Sequence, residues 1–112
     1  MTGVRQDLSD IVLILTTTPD GDLGNRIARA LVDERLAACV NVHAPMTSVY
    51  RWDGKVEHAV ECQLVIKTTR EKVEGVRTRV IQLHSYELPE LVVLAVIDGS
   101  PAYLDWVRAE SR

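Results

Sequence analysis

Aromatic residues and long apolar runs are scarce in this 112-residue chain. Phenylalanine is absent, and only two Trp and three Tyr are present, so the core must be built from Val, Leu, Ile and Ala. The longest apolar runs, residues 11–15 and 91–97, are far shorter than the roughly 20 residues that a membrane-spanning helix needs. The sequence therefore predicts an aliphatic core and no membrane partner.

Basic residues are fewer than acidic ones, and cysteine is rare. Thirteen Lys and Arg against sixteen Asp and Glu give a net charge of −3, which argues against a nucleic-acid surface. Two cysteines without a CxxC pair predict reduced thiols in a cytoplasmic protein rather than a disulfide scaffold. Residues 1–10 are polar and lack the apolar segment of a secretory signal, so they are predicted to be a loose lead-in to a single domain spanning 1–112.

Sequence signatures of common enzymes are missing as well. The chain has no Walker A loop, no GxGxxG, and no Ser or His in the spacing of a nucleophile elbow. It also lacks the CxxC of metal chaperones. These absences argue against the common enzyme classes and leave catalysis by a Glu or Cys in a cleft as the weakest alternative to a non-enzymatic binding or signalling protein.

The strongest local signal is Asp53-Gly54, which lies between two β-rich segments. A type I′ hairpin turn needs positive φ at both central residues, which favours this pair. No Gly or Pro follows from Lys55 to Thr68, so one strand could cover about 46 Å at roughly 3.3 Å per residue. A compact domain of this length has a diameter of about 34 Å, so the hairpin should overhang it as an arm.

Such an arm would expose apolar side chains and sheet edges to water. We predict that sister subunits cover it, and that the interface includes Tyr50, Trp52 and Val56. Formation of an oligomer is therefore the first prediction about function that follows from the residues alone.

The remaining periodicities predict the order β-α-β-β-α-β-α. The first strand begins at residue 11, a helix covers about 22–36, and a second strand covers 37–42 and resumes at Thr47 after Pro45. The third strand has Val60, Cys62, Leu64 and Ile66 on its apolar face. Thr68 and Glu71 resemble a capping box for the second helix, residues 91–97 form the fourth strand, and Ser100-Pro101 starts a final helix.

The first six elements follow the split βαβ pattern of an α+β, ferredoxin-like βαββαβ fold with a long hairpin and an extra C-terminal helix. Both main helices should cover one face of the antiparallel sheet. The last helix can cover only part of the other face, so a symmetric assembly is predicted to bury the rest.

Five motifs resemble the CutA family of divalent-cation tolerance proteins, over nearly the whole chain from residue 11. They are LAAC at 36–39, VYRWDGK at 49–55, IKTT at 66–69, HSYELPEL at 84–91 and YLDW at 103–106. The resemblance implies a ferredoxin-like fold, a cytoplasmic homotrimer similar to PII signalling proteins, and a role in tolerance to copper and other divalent metals.

The same resemblance implies where a copper site would lie. The family site uses a Cys on the first strand and two adjacent His at the end of the second helix, and these positions are Thr16, Leu83 and His84 here. A selective copper site needs several N or S donors, so His84 would need donors from another subunit.

The candidate site residues have more than one interpretation. His84 is a metal or anion ligand or a helix-end cap, and Cys39 is a ligand or a small buried residue. Cys62 is assigned to the core. A polar inter-subunit cleft holding a divalent cation or small anion, or else charge pairs that fix the trimer register, is predicted from four residues: Glu61, Lys67, Tyr86 and Glu90. The alternatives to metal tolerance are a PII-like small-molecule sensor and a trimeric scaffold without a ligand.

Overall fold

The computed structural model describes residues 10–112, which form a five-stranded antiparallel sheet and three α-helices. A single 3₁₀ turn, Arg70–Lys72, leads into the second helix. None of these helices is long and apolar enough to cross a membrane. In chain order the elements are β1 (Ile11–Thr18), α1 (Gly21–Asp33), β2 (Cys39–Val42), β3 (Met46–Trp52), β4 (Lys55–Thr69), α2 (Val73–Leu83), β5 (Val92–Ala95) and α3 (Pro101–Glu110).

The strand order confirms the ferredoxin-like prediction. β4 lies at the centre of the sheet, with β1 and then β5 on one side and both β2 and β3 along its other edge. β2 and β3 are the two halves of one predicted strand, interrupted at residues 43–45 because Pro45 has no N–H for the ladder.

The main core lies between the sheet and the first two helices. Val12, Ile14, Leu64 and Ile66 alternate along β1 and β4 and are fully buried. They pack against fully buried aliphatic residues of the helices, namely Ile27 and Leu31 on α1 and Val76 and Val80 on α2. Each such side chain contributes about 1.5–3 kcal/mol by leaving water, so this aliphatic layer fixes which face of every strand points inward.

The start of α1 shows how the sequence sets this packing. Asp20 caps the helix, because its side chain accepts a hydrogen bond from Leu23 N at 2.9 Å. One turn on, a Cβ on Gly24 would lie 3.1 Å from Thr18 Oγ1 and 3.2 Å from Leu64 Cδ1. Glycine here lets α1 approach the sheet closely.

The opposite face of the sheet is only partly covered. Val107 and Leu104 of α3 pack on Ile11 and Ala38 at one end of the sheet. On β5, Val92 and Leu94 are 45% and 44% exposed. The prediction that the last helix leaves part of this face bare is therefore confirmed.

The β3–β4 hairpin is an overhanging arm, as the sequence predicts. Asp53 and Gly54 have φ values of 54° and 80°, the positive pair that the tight turn requires. The described residues measure 51 × 29 × 23 Å, and the long dimension reflects the arm. Tyr50 and Trp52 on the arm are 43% and 52% exposed.

The capping-box prediction is wrong. Thr68 is not a helix cap: it lies inside β4, is fully buried, and donates from Oγ1 to the Leu36 carbonyl at 2.7 Å. β4 continues through Thr69 because β1 pairs with it as far as Ile11. Val60 lies beyond the reach of the helices and is 62% exposed, although its strand face is the apolar one.

Element ends differ from the predictions as well. α1 ends at Asp33 rather than near residue 36, and Arg35 adopts a φ of 59° in the turn that follows. β5 is shorter than the predicted 91–97. The predicted lead-in, residues 1–10, lies outside the described residues apart from Asp10, which accepts hydrogen bonds from Arg108 at 2.7 and 3.0 Å.

Candidate functional site

A groove of about 860 Å³ lies between the arm and the loop that joins α2 to β5. Its walls combine aromatic, aliphatic and acidic side chains, with Thr17 of β1 between them. The arm contributes Ser48, Val49, Tyr50, Arg51, Trp52, Ala59 and Glu61, and the loop contributes residues 86–90.

The two walls of the groove are joined by one side-chain hydrogen bond. The Tyr86 hydroxyl donates to Glu61 Oε2 at 2.7 Å, and both residues are half-buried. Partial burial raises the pKa of the Tyr86 phenol well above its ordinary value, and the bond to Glu61 and the Glu61 charge raise it further. Tyr86 therefore stays protonated and acts as a donor to the carboxylate.

Glu90 adds a second carboxyl to the same groove. Burial of the carboxyl group against the groove raises the pKa of Glu90, and the charge of Glu61 raises it further. A cation that enters beside Glu90 would offset the Glu61 charge that disfavours ionisation of Glu90.

The charges lining the groove also favour a cation over an anion. Three carboxylates, Glu61, Glu87 and Glu90, line it against the single guanidinium of Arg51. The predicted alternative of a small anion therefore has less support than a cation.

His84 fixes the loop at the rim of the groove. It follows α2 directly, and its Nε2 lies 2.7 Å from the Thr17 carbonyl oxygen. Its Nδ1 accepts from Tyr86 N–H at 3.0 Å, and the His84 and Tyr86 rings lie 4.7 Å apart. Both ring nitrogens are thus engaged with backbone groups.

The structure brings together three of the four predicted cleft residues and separates the fourth. Lys67 lies at the far end of β4, where it pairs with Leu13 on one side and Cys39 on the other. Its ammonium lies 5.7 Å from the centre of the Tyr103 ring. Lys67 and Cys39 therefore neighbour each other on the face that α3 partly covers, outside the groove of the same chain.

The predicted interface residues are divided between the two faces of the arm. Tyr50 and Trp52 line the groove and share one face by the alternation of β3. Val56 pairs with Arg51, which places it on the other face, where it is 65% exposed. Their role as interface residues stays a prediction.

Several groove residues were missed by the sequence analysis. The Thr17 carbonyl could not be found, because a backbone acceptor leaves no mark in the sequence. Arg51, Glu87 and Leu88 stand inside motifs quoted for the family resemblance, and their closeness to Asp53-Gly54 and Tyr86 was the available signal.

The residues at the family's copper positions do not fit a copper site in one chain. Thr16 is fully buried, Leu83 packs against the main core, and both nitrogens of His84 are already bonded. Across residues 10–112, no three His, Cys, Asp or Glu side chains lie together as a metal-binding group. His84 and Cys39 as metal ligands stay predictions.

Comparisons with known proteins identify the family. The sequence profile described as "CutA1 divalent ion tolerance protein" matches residues 12–110. The "Divalent-cation tolerance protein CutA" of Thermus thermophilus is 45% identical over 96 residues, which is 86% of this chain and 93% of that protein.

Solved structures agree with this assignment. The periplasmic divalent cation tolerance protein CutA from Archaeoglobus fulgidus is 35% identical with a TM-score of 0.88, covering 91% of this chain and 99% of that one. The PII-like protein CutA from Nostoc sp. PCC 7120 is 39% identical with a TM-score of 0.83, covering 90% and 97%. The protein described here therefore belongs to the CutA1 divalent ion tolerance family.

Proposed function

We propose that this chain forms a homotrimer whose inter-subunit clefts bind a divalent cation, and that this binding underlies a role in divalent-metal tolerance. The observation that carries the proposal is the Tyr86–Glu61 contact, with Glu90 beside it, in a groove that the overhanging arm leaves open. The family name points to divalent cations as the ligand class.

The case for an oligomer is physical. The arm presents Tyr50 and Trp52 on one face and Val56 on the other, all at least 43% exposed. The uncovered part of the sheet adds Val92 and Leu94. Exposed apolar patches on two surfaces of so small a domain are typical of a buried subunit interface, and a closed symmetric ring buries both at once.

The case for a cleft between subunits rests on the composition of the groove. One chain supplies carboxylates and a phenol, which suit a hard cation, but too few donors to hold it selectively. A neighbouring subunit that packs against the arm would complete the donor set. Copper is the finer possibility, with zinc or another divalent cation as the alternative.

Calorimetric titration tests the binding proposal. Cu²⁺ and Zn²⁺ are titrated separately into the wild type, Glu61→Gln and Glu90→Gln, with Glu71→Gln on the exposed 3₁₀ turn as a charge-matched control. We expect each groove variant to weaken binding about tenfold, or about 1.4 kcal/mol, and the control to leave it unchanged. Equal isotherms for all four proteins would refute the groove as the cation site.

A PII-like sensor is the second candidate, because a structural neighbour is itself described as PII-like. In that case the cleft binds a metabolite, and saturating ligand raises the melting temperature by mass action. A thermal-shift screen of nucleotides and small carboxylates separates the two candidates, since the sensor requires a positive shift with one of them.

We further propose a non-enzymatic role in the cytoplasm. The names of the relatives describe tolerance rather than a reaction. Cys39 and Cys62 are both free thiols, which suits a reducing compartment. The Archaeoglobus relative is described as periplasmic, so fractionation of cells expressing a tagged chain is the direct check.

A further inference from the structure

We infer that His84 is a positioning residue: its neutral imidazole fastens the α2–β5 loop to the end of β1, and thereby holds Tyr86 against Glu61 across the groove. The functional part of this inference rests on the proposed function of the groove, whereas its structural part does not. It gives His84 a role different from the metal ligand that the family resemblance implies.

The backbone sets up this contact. α2 ends at Leu83, and His84 adopts an extended conformation with φ −75° and ψ 148°. The side chain then spans two backbone groups from different elements, the Thr17 carbonyl of β1 and the Tyr86 N–H of the loop. The first residue after the helix therefore ties the chain back to the sheet.

The chemistry of the two partners determines the protonation state. A carbonyl can only accept, so Nε2 must carry a proton; a backbone N–H can only donate, so Nδ1 must be unprotonated. The contact therefore requires the neutral imidazole in one tautomer. A second proton would set the Nδ1–H against the Tyr86 N–H at 3.0 Å, where one hydrogen bond is lost and two donors meet.

The ring is held by backbone groups rather than by a carboxylate. Charged groups around the contact are Glu61 from β4, bound to the Tyr86 hydroxyl, Asp20 before α1, whose charge acts on Tyr86, and Glu87 and Glu90 of the loop. Within residues 10–112, no hydrogen bond or ion pair joins any of these carboxylates to the ring.

The contact also competes with metal ligation. A ring nitrogen binds a metal through the lone pair that Nδ1 uses for Tyr86, or through Nε2 after its proton is lost. A metal ion at His84 must therefore break one of the two backbone contacts and loosen the groove wall.

Nuclear magnetic resonance of the uniformly ¹⁵N-labelled full chain tests the inference without any ligand. At one fixed pH, we expect the Tyr86 amide to exchange with solvent deuterium about tenfold faster in His84→Ala than in the wild type, because its acceptor Nδ1 is gone. In His84→Asn the side-chain carbonyl can replace Nδ1 as the acceptor, so much of this protection should return. His58→Ala, on the exposed arm, is the control and should exchange like the wild type.

Equal exchange rates of the Tyr86 amide in the wild type and in His84→Ala would overturn the inference. Because this experiment contains no metal, its failure is distinguishable from failure of the cation proposal.

Zn²⁺ titration at pH 7.5 separates positioning from ligation. A positioning role predicts that His84→Ala weakens Zn²⁺ binding severalfold. His84→Gln should restore most of it, because its side-chain N–H can reach the Thr17 carbonyl in place of Nε2. Equal loss in both variants would show that the imidazole itself binds the metal, and would overturn the inference.

Discussion

Two fully buried threonines offer the sharpest test of how this structure is stabilised. Thr16 and Thr68 lie on β1 and β4, both with no exposed surface. The Thr68 hydroxyl donates to the Leu36 carbonyl at 2.7 Å, whereas the Thr16 hydroxyl has no hydrogen-bond partner within residues 10–112. Replacing each threonine by Val keeps the β-branched shape of the side chain and exchanges only the hydroxyl for a methyl group.

The expected effects have opposite signs. Thr68→Val leaves the Leu36 carbonyl without its donor in the interior and should destabilise the fold by about 1–3 kcal/mol. Thr16→Val removes a buried hydroxyl that is not hydrogen-bonded and should be neutral or stabilising by about 1 kcal/mol. The two variants should therefore differ by about 1–4 kcal/mol in the free energy of unfolding.

Reversible denaturant unfolding at one fixed protein concentration measures both values. Fixing the concentration matters because an oligomer gains apparent stability by mass action. Equal destabilisation by the two substitutions, or a larger loss for Thr16→Val, would show that the assigned hydrogen bonding of these hydroxyls is wrong.

Three further predictions concern the groove and the chain end. Tyr86→Phe removes the bond to Glu61 and should cost about 1 kcal/mol in thermal unfolding, at the low end because both residues are half-buried. Burial and the Glu61 charge raise the pKa of Glu90, so ionisation of this carboxyl destabilises the fold as pH rises. Glu90→Gln should therefore increase the free energy of unfolding at pH 7. This gain should be gone below about pH 4, where the carboxyl is protonated in both the folded and the unfolded state. The hydrogen bond from Arg108 lowers the pKa of Asp10, so Arg108→Ala should reduce the free energy of unfolding by up to about 1 kcal/mol at pH 7. The reduction should be smaller in high salt, and it should be small below about pH 3, where Asp10 becomes protonated.

The arm could be predicted from the sequence because its causes are local. Asp53-Gly54 sets the turn, and the uninterrupted strand from Lys55 sets the length, so neither feature depends on distant contacts. The Thr68 capping box failed for the opposite reason. Its Thr-x-x-Glu spacing is local, but β1 pairing extends β4 through that position, and the Thr68 hydroxyl donates to the Leu36 carbonyl instead.

The site could be predicted only in part. Strand alternation places Glu61 and Lys67 on one face of β4, about 20 Å apart at roughly 3.3 Å per residue, so the sequence predicts that they do not meet within one chain. Tyr86 and Glu90 are predicted to meet them from a different subunit, whereas the structure brings Glu61, Tyr86 and Glu90 to one groove of the same chain. Which of these three residues touch depends on the path of the loop, where His84 contacts the Thr17 carbonyl. Lys67 lies beside Tyr103 and apart from the groove, which agrees with its spacing from Glu61.

Sedimentation equilibrium of the full chain at micromolar concentration tests the central claim most directly, namely that sister subunits cover the arm and complete the groove. We expect a single species of three times the chain mass. A folded, monodisperse monomer under the same conditions would contradict the account, since the apolar arm and sheet face would then stand in water without a partner.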